Sequence, residues 1–207
     1  MPDAKPRFMF SPPQPLAVGP LRCAWAPHQH GTPAEALVRP WLADALGQPA
    51  DALPLRRDVH GRPRLETPAA GVDVSWSHSG ERLLVALGRG VQVGADLELL
   101  RPRPRALALA ERFFVRSETD ALLALPADAR EAAFVRLWCA KEAVLKAHGR
   151  GLAFGLDRLE FALRGDDWAL VACDLALGRP SDWTLHAFTP MPGYLASLAW
   201  RPAPPPA

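Results

Sequence analysis

Apolar and polar positions alternate in GVDVSWSHS (71–79) and VQVGADLEL (91–99), and RLLVALG (82–88) between them is a short continuous apolar run, which predicts three β-strands. The glycines of GRG (88–90) predict a turn that pairs the last two as a hairpin. Ahead of them LRCAW (21–25) reads as a short strand. LRRDVHGRPRL (55–65) reads as two extended segments about a turn at His60-Gly61. The period becomes helical in TPAEALVRPWLADALG (32–47), which starts at Thr32-Pro33 and stops at Gly47; Pro40 inside it predicts a kink or a restart. The proline-rich SPPQPLAVGP (11–20) is expected to be an irregular lead-in.

RPRPR (101–105) breaks all periodicity and is the expected boundary between two halves. Beyond it ALALAERFF, SETDALLAL and DAREAAFVRLWCAKEAVLKAHG predict helices, the last capped by Gly149. RLEFALR, WALVACDL, WTLHAFT and YLASLAW predict antiparallel strands, and residues 202–207 a disordered tail. The expected fold is α+β, in two similar lobes (1–103 and 104–201) that each carry helix and antiparallel strand.

The 207 residues suffice for one large domain or two small joined ones. A net charge of +2, spread evenly over both halves, argues against a nucleic-acid partner. No 18-residue apolar run or signal-peptide core is present, so a cytoplasmic protein without membrane contact is expected. Cys23, Cys139 and Cys173 are odd in number and unpaired in spacing, and they read as small hydrophobes in a reducing compartment. Of 24 basic residues only Lys5, Lys141 and Lys146 are lysines, so two of the three share one short window.

Asp96 and Glu98 interrupt the last strand of the alternating series. Residues two apart share a face, so their carboxylates lie side by side with Leu97 pointing away. That arrangement fits either a solvated strand face or two hard oxygen ligands for Mg²⁺. On the long helix Phe134, Leu137, Trp138, Val144 and Leu145 form an apolar face, while Trp138, Glu142 and Lys146 line a stripe at four-residue spacing. Glu142 with Lys146 is by default a surface ion pair. In a chain that otherwise writes arginine, a lysine here also fits a compact charge required at a phosphate. SWSHSG (75–80) sets His78 among three serines, either a polar turn or a phosphate contact. No GxSxG, GxGxxG or P-loop occurs; GRG at 149–151 is too short for one, and HQH at 28–30 lacks zinc-ligand spacing.

SWSHSG, then VGADLE (93–98), then FVRLWCAKEAVLKAHGRGL (134–152) together resemble the 4′-phosphopantetheinyl transferase superfamily. The likeness is to the two-lobed monomeric type that activates nonribosomal peptide and polyketide synthases. Ala95 replaces a larger aliphatic residue usual there, GRPRL (61–65) and ERFFVRSE (111–118) also match, and the first fifty residues match poorly. The resemblance implies transfer of phosphopantetheine from coenzyme A to a serine of an acyl or peptidyl carrier protein, at a site between the lobes, releasing 3′,5′-ADP. It implies Mg²⁺, with Mn²⁺ as a substitute, on Asp96, Glu98 and Glu142. Lys146 is then expected on the pyrophosphate and the leaving group, with Glu142 also as base. Ser77 and His78 would bind coenzyme A phosphates; Gly61, Arg62 and Pro63 would border the adenine. Lys141 would have a phosphate or structural role, and Glu118 would order a water. The resemblance places the coenzyme A 3′-phosphate contacts in the first fifty residues, where only Arg22, Arg39 and the histidines offer themselves. A catalytically silent binding homologue and a Mg²⁺-dependent phosphohydrolase are the alternatives. The complete acid and lysine set argues against the first, and the shortage of further acids against the second.

Overall fold

In the computed structural model residues 10–66 and 71–203 are described. The strands β1 (Ser11–Val18) and β2 (Leu21–Pro27) precede helix α1 (Ala34–Leu46), and β3 (Leu55–Arg57) and β4 (Pro63–Leu65) follow it. Next come β5 (Val72–Ser79), β6 (Arg82–Arg89) and β7 (Val91–Leu99), then the helices α2 (Ala106–Phe113), α3 (Arg116–Ala124) and α4 (Ala127–His148). The strands β8 (Leu159–Arg164), β9 (Asp167–Cys173), β10 (Thr184–Phe188) and β11 (Tyr194–Pro202) complete the described chain. The architecture is α+β, and every strand pairing in it is antiparallel.

Two sheets set the frame, one ordered β1-β2-β6-β5 and the other β10-β11-β7. The expected β6–β7 hairpin therefore does not form. Both edges of β6 are taken, by β2 and β5, so β7 turns at Gly90 and pairs instead with β11 over nine residue pairs. The proline-rich lead-in is a strand rather than irregular, because β1 sits at a sheet edge where a missing N–H breaks no ladder. Helix α1 runs through Pro40 without interruption, held by Leu37, Val38, Trp41 and Leu42 buried on one side. Pro202, expected in the tail, is the last residue of β11, opposite Val91; residues 204–207 lie outside the described residues. Among the described residues no helix is long and apolar enough to cross a membrane.

The core is layered. Ala24, Val74, Leu83, Val85 and Leu87 pack the first sheet on α1, while Leu21, Cys23, Leu84 and Ala86 pack its other face on Val93, Ala95 and Leu97 of β7 and on β11. The far side of the second sheet rests on α4, whose Phe134, Leu137, Ala143, Val144 and Leu145 are buried with β8, β9 and α2. The sequence predicts one apolar face on α4; in the structure Val135, Cys139, Ala140 and Ala147 are buried too, so neighbours cover it on several sides.

The strand β7 meets α4 at Gly94. A Cβ placed there would stand 1.8 Å from the carbonyl oxygen of Ala143 and 2.6 Å from the backbone nitrogen of Ala147, so only glycine allows this approach. Gly94→Ala must push strand and helix apart. We expect a loss of about 3 kcal/mol or more and a thermal midpoint lowered by roughly 10 °C, measured by calorimetry. A midpoint within about 2 °C of the parent would show that the contact is not tight.

Candidate active site

The outer edge of β7 lies against β5, and short polar side chains take the place of a ladder. Asp73 Oδ2 accepts from the Val93 N–H (2.8 Å), Ser75 Oγ from that of Ala95 (3.0 Å) and Ser79 Oγ from that of Leu99 (3.1 Å). Residues of β5 two apart share a face, so one row of side chains follows the β7 backbone. The same row reaches the acids. Ser77 Oγ donates to Asp96 Oδ1 (2.8 Å), and Ser79 Oγ donates to Glu98 Oε2 (2.9 Å).

Across from Asp96 stands α4. Lys146 Nζ donates to Asp96 Oδ1 at 2.6 Å and to Ser77 Oγ at 2.8 Å. The intrahelical Glu142–Lys146 pair is thus replaced by one that ties helix to strand. Burial works to lower the Lys146 pKa, but the carboxylates of Asp96 and Glu142 outweigh it and leave it raised. Glu142 is buried beside the two strand acids, and its carboxyl is pushed up to about 7, first by burial and then by Asp96 and, more weakly, Glu98, with Lys146 opposing. Glu98 is held by Arg103, whose Nη2 lies 2.6 Å from Oε2. The cluster therefore contains three acids and two cations.

Among the described residues no three His, Cys, Asp or Glu side chains converge closely enough to hold a metal ion, since Lys146 and Arg103 lie on the strand acids. The donor set nevertheless suits a hard cation. Asp96 Oδ2 is buried with no hydrogen-bond partner, and Glu142, raised first by burial and then by Asp96, is a further oxygen donor beside it.

A pocket of about 220 Å³ adjoins this cluster, lined by Arg57, His60, Gly61, Arg62, Pro63, Ser75, Trp76, Lys146, Gly149 and Gly151. It brings Gly61, Arg62 and Pro63 together with Lys146, as the resemblance implies. The Arg62 guanidinium is anchored through Nη2, which donates to Asp73 Oδ2 (2.5 Å) and the Val93 carbonyl (2.8 Å), while its Nε and Nη1 are buried without a partner. Ser77 is buried and engaged with Asp96 and Lys146 rather than open to a phosphate. His78 is exposed and stacks on His28 at 4.5 Å; burial, His28 and Lys146 lower its pKa. Arg39 is committed to Glu35 and to the carbonyls of Ala50 and Leu53, while Arg22 is exposed on β2.

Lys141 takes the second of its two expected roles, the structural one, with Glu118 as its partner. Lys141 is fully buried, and its Nζ donates to the carbonyls of Leu156 (2.8 Å) and Leu159 (2.6 Å) and pairs with Glu118 (2.8 Å), so it has no access to a phosphate. Glu118 is equally buried, accepting from Phe161 N (2.7 Å) and Val115 N (3.1 Å), and does not line the pocket. Burial pushes Glu118 up and Lys141 down, each opposed by the other. Cys23 and Cys139 are buried and Cys173 half-buried, with burial raising all three thiols. Arg57, His60, Trp76, Gly149, Gly151 and Arg103 escape the sequence reading. A signal existed for the first three, since they flank the GRP turn and alternate with the serines of SWSHS. The GRG turn failed as a P-loop yet still lines the pocket.

Residues 92–199 match the family model of the 4′-phosphopantetheinyl transferase superfamily. The chain is similar to the 4′-phosphopantetheinyl transferase HetI of Nostoc sp., with 32% identity over 83% of this chain and 72% of that protein. It is also similar to the 4′-phosphopantetheinyl transferase AcpT of Salmonella typhi, with 31% identity over 70% of this chain and 78% of AcpT. The 4′-phosphopantetheinyl transferase Sfp of Bacillus subtilis is 33% identical over 52% of this chain and 46% of Sfp. The chain belongs to the 4′-phosphopantetheinyl transferase superfamily. It is a phosphopantetheine-transferring enzyme.

The Glu142 carboxyl gives a pH test. Raised from its ordinary 4.5 to about 7, it keeps in the folded state a proton that the unfolded chain has already released. Its contribution to stability is therefore fully present below pH 4.5 and is lost as pH rises to 7, amounting to roughly 3 kcal/mol. In the presence of a chelator, Glu142→Gln should melt higher than the parent at pH 8, and the two should converge near pH 4.5. Parallel melting profiles across that range would show that Glu142 is not the strained acid.

Proposed function

We propose that this protein carries out Mg²⁺-dependent transfer of 4′-phosphopantetheine from coenzyme A to a serine of an apo acyl or peptidyl carrier protein, releasing 3′,5′-ADP. The supporting observation is the cluster of Asp96, Glu98, Glu142 and Lys146, whose lysine lines a basic pocket, with one acid raised to about 7 and one carboxylate oxygen buried without a partner. Asp96, Glu98 and Glu142 would hold Mg²⁺, or Mn²⁺ in its place. The ion would supply charge neutralisation to the coenzyme A pyrophosphate. Lys146 meets the pyrophosphate and stabilises the departing 3′,5′-ADP. The serine oxygen bonds to the phosphorus that carries pantetheine, the bond from that phosphorus to the bridging oxygen breaks, and the serine proton passes to Glu142 directly or through a water. Gly61, Arg62 and Pro63 border the adenine by their backbone and aliphatic atoms, with Trp76 and Arg57 beside them. His78 faces a coenzyme A phosphate.

The reading extends to two lobes related by a pseudo-twofold, residues 1–103 and 104–201, with β7 passing from the first into the sheet of the second and the site on that crossing. It also extends to a cytoplasmic monomer of the type that serves nonribosomal peptide and polyketide synthases.

Incubation with coenzyme A, Mg²⁺ and apo carrier proteins, followed by mass spectrometry of the carrier, tests the reaction. We expect the mass gain of one phosphopantetheine. No gain on any of several carriers would overturn the reading. Glu142→Gln should abolish the gain with the fold intact, and Lys146→Arg should slow transfer by at least about tenfold, because a planar fork does not replace a point charge at this distance. An unchanged rate in Lys146→Arg would refute the argument from lysine.

A further inference from the structure

Arg103 lies in the segment that joins β7 to α2, tied by its backbone to α4 and by its side chain to the acid cluster. Its backbone N–H donates to Glu131 Oε2 on α4 at 2.5 Å. Its Nη2 donates to Glu98 Oε2 at 2.6 Å and to the Leu99 carbonyl at 3.4 Å, while its Nε is buried without a partner. The two side chains of the ion pair are each only 20% exposed, which distinguishes it from a solvated surface pair.

Glu98 Oε2 accepts from two donors, Arg103 and Ser79 Oγ, so its lone pairs are filled. Ser79 belongs to a sheet strand and is itself pinned by the Leu99 N–H (3.1 Å). Arg103 rides on a connecting segment. Of the two donors, only Arg103 carries a charge and lies outside the sheet.

We propose that Arg103 is a resident counter-cation for Glu98, neutralising it until a divalent ion arrives and releasing it when the ion is taken up. The inference rests on the metal reading above. Arg103 then sets the affinity for the ion and couples uptake to the position of residues 100–105. Its role is that of a positioning residue that acts through Glu98 and touches no reacting atom. Removing its charge leaves one cation, Lys146, for three acids, and so strengthens the attraction for a divalent ion while Ser79 keeps Glu98 oriented. A merely structural Arg103 requires the opposite, since losing a brace on a ligand weakens binding.

The experiment is direct binding of Mn²⁺ to the full chain, followed by electron paramagnetic resonance, for the parent, Arg103→Gln and Arg103→Lys. We expect the Mn²⁺ dissociation constant to fall roughly two- to fivefold in Arg103→Gln and to stay near the parent in Arg103→Lys. The difference should narrow between about 0.05 M and about 0.5 M salt. If Arg103→Gln does not fold, Glu131→Gln decides: it loosens the segment without removing the arginine and should also tighten Mn²⁺ binding. Unchanged or weaker binding in the folded variant, with normal binding by the parent, overturns the role of Arg103 and leaves the metal reading standing. No Mn²⁺ binding by the parent overturns both.

Discussion

The site depends on one seam, the row of Asp73, Ser75, Ser77 and Ser79 along the exposed edge of β7. A free strand edge carries N–H groups that must find acceptors, and a second β-strand would ordinarily provide them. Here side-chain oxygens provide them at Val93, Ala95 and Leu99. Two sheets are thereby joined without becoming one continuous sheet. Ser77 and Ser79 extend past the backbone to the carboxylates of Asp96 and Glu98, so the contacts that fasten the strand also orient the acids. Asp73 does the same at the other end, accepting from Arg62 and from the Val93 N–H and so fixing the wall of the pocket.

The second constraint is the approach of α4 at Gly94. With no Cβ between them, the helix backbone comes close enough for Lys146 to span from α4 to Asp96 and Ser77. Glycine and lysine act together here: one sets the distance, the other uses it. Three acids then stand near two cations, and the third acid, Glu142, is raised first by burial and then by Asp96. A buried site that is short of positive charge has an electrostatic preference for a cation.

Much of this was legible in the sequence because it follows from local period. Alternation placed Asp96 and Glu98 on one face, and four-residue spacing placed Glu142 and Lys146 on another. The helix stops at Gly47 and Gly149 follow from the left-handed backbone found at both. What was not legible depends on sheet order and on burial. The β6–β7 pair looked like a hairpin because the turn glycines were present; nothing local records that β2 and β5 already occupy both edges of β6. Nor does anything local record that Arg62 also braces β5, since its partner Asp73 is eleven residues further on. Arg103 sits in a run of arginines and prolines that carries no period, so its contact with Glu98 had no signal.

Lys141 and Lys146 show why residue type alone decides little. Both are lysines in an arginine-rich chain, one turn and a residue apart on the same helix, yet they do different things. Lys141 points into the apolar layer, where three donors on a single nitrogen meet two carbonyls and a carboxylate, with Phe114 and Phe161 rings 4.9 and 5.6 Å away. A guanidinium carries five donors and would leave some of them buried and unmet. Lys146 points toward the pocket and uses the same compactness to fit between Asp96 and Ser77 with one side still open. A small cation fits both positions, and burial separates them: Lys141 braces the helix from within, while Lys146 lines the pocket.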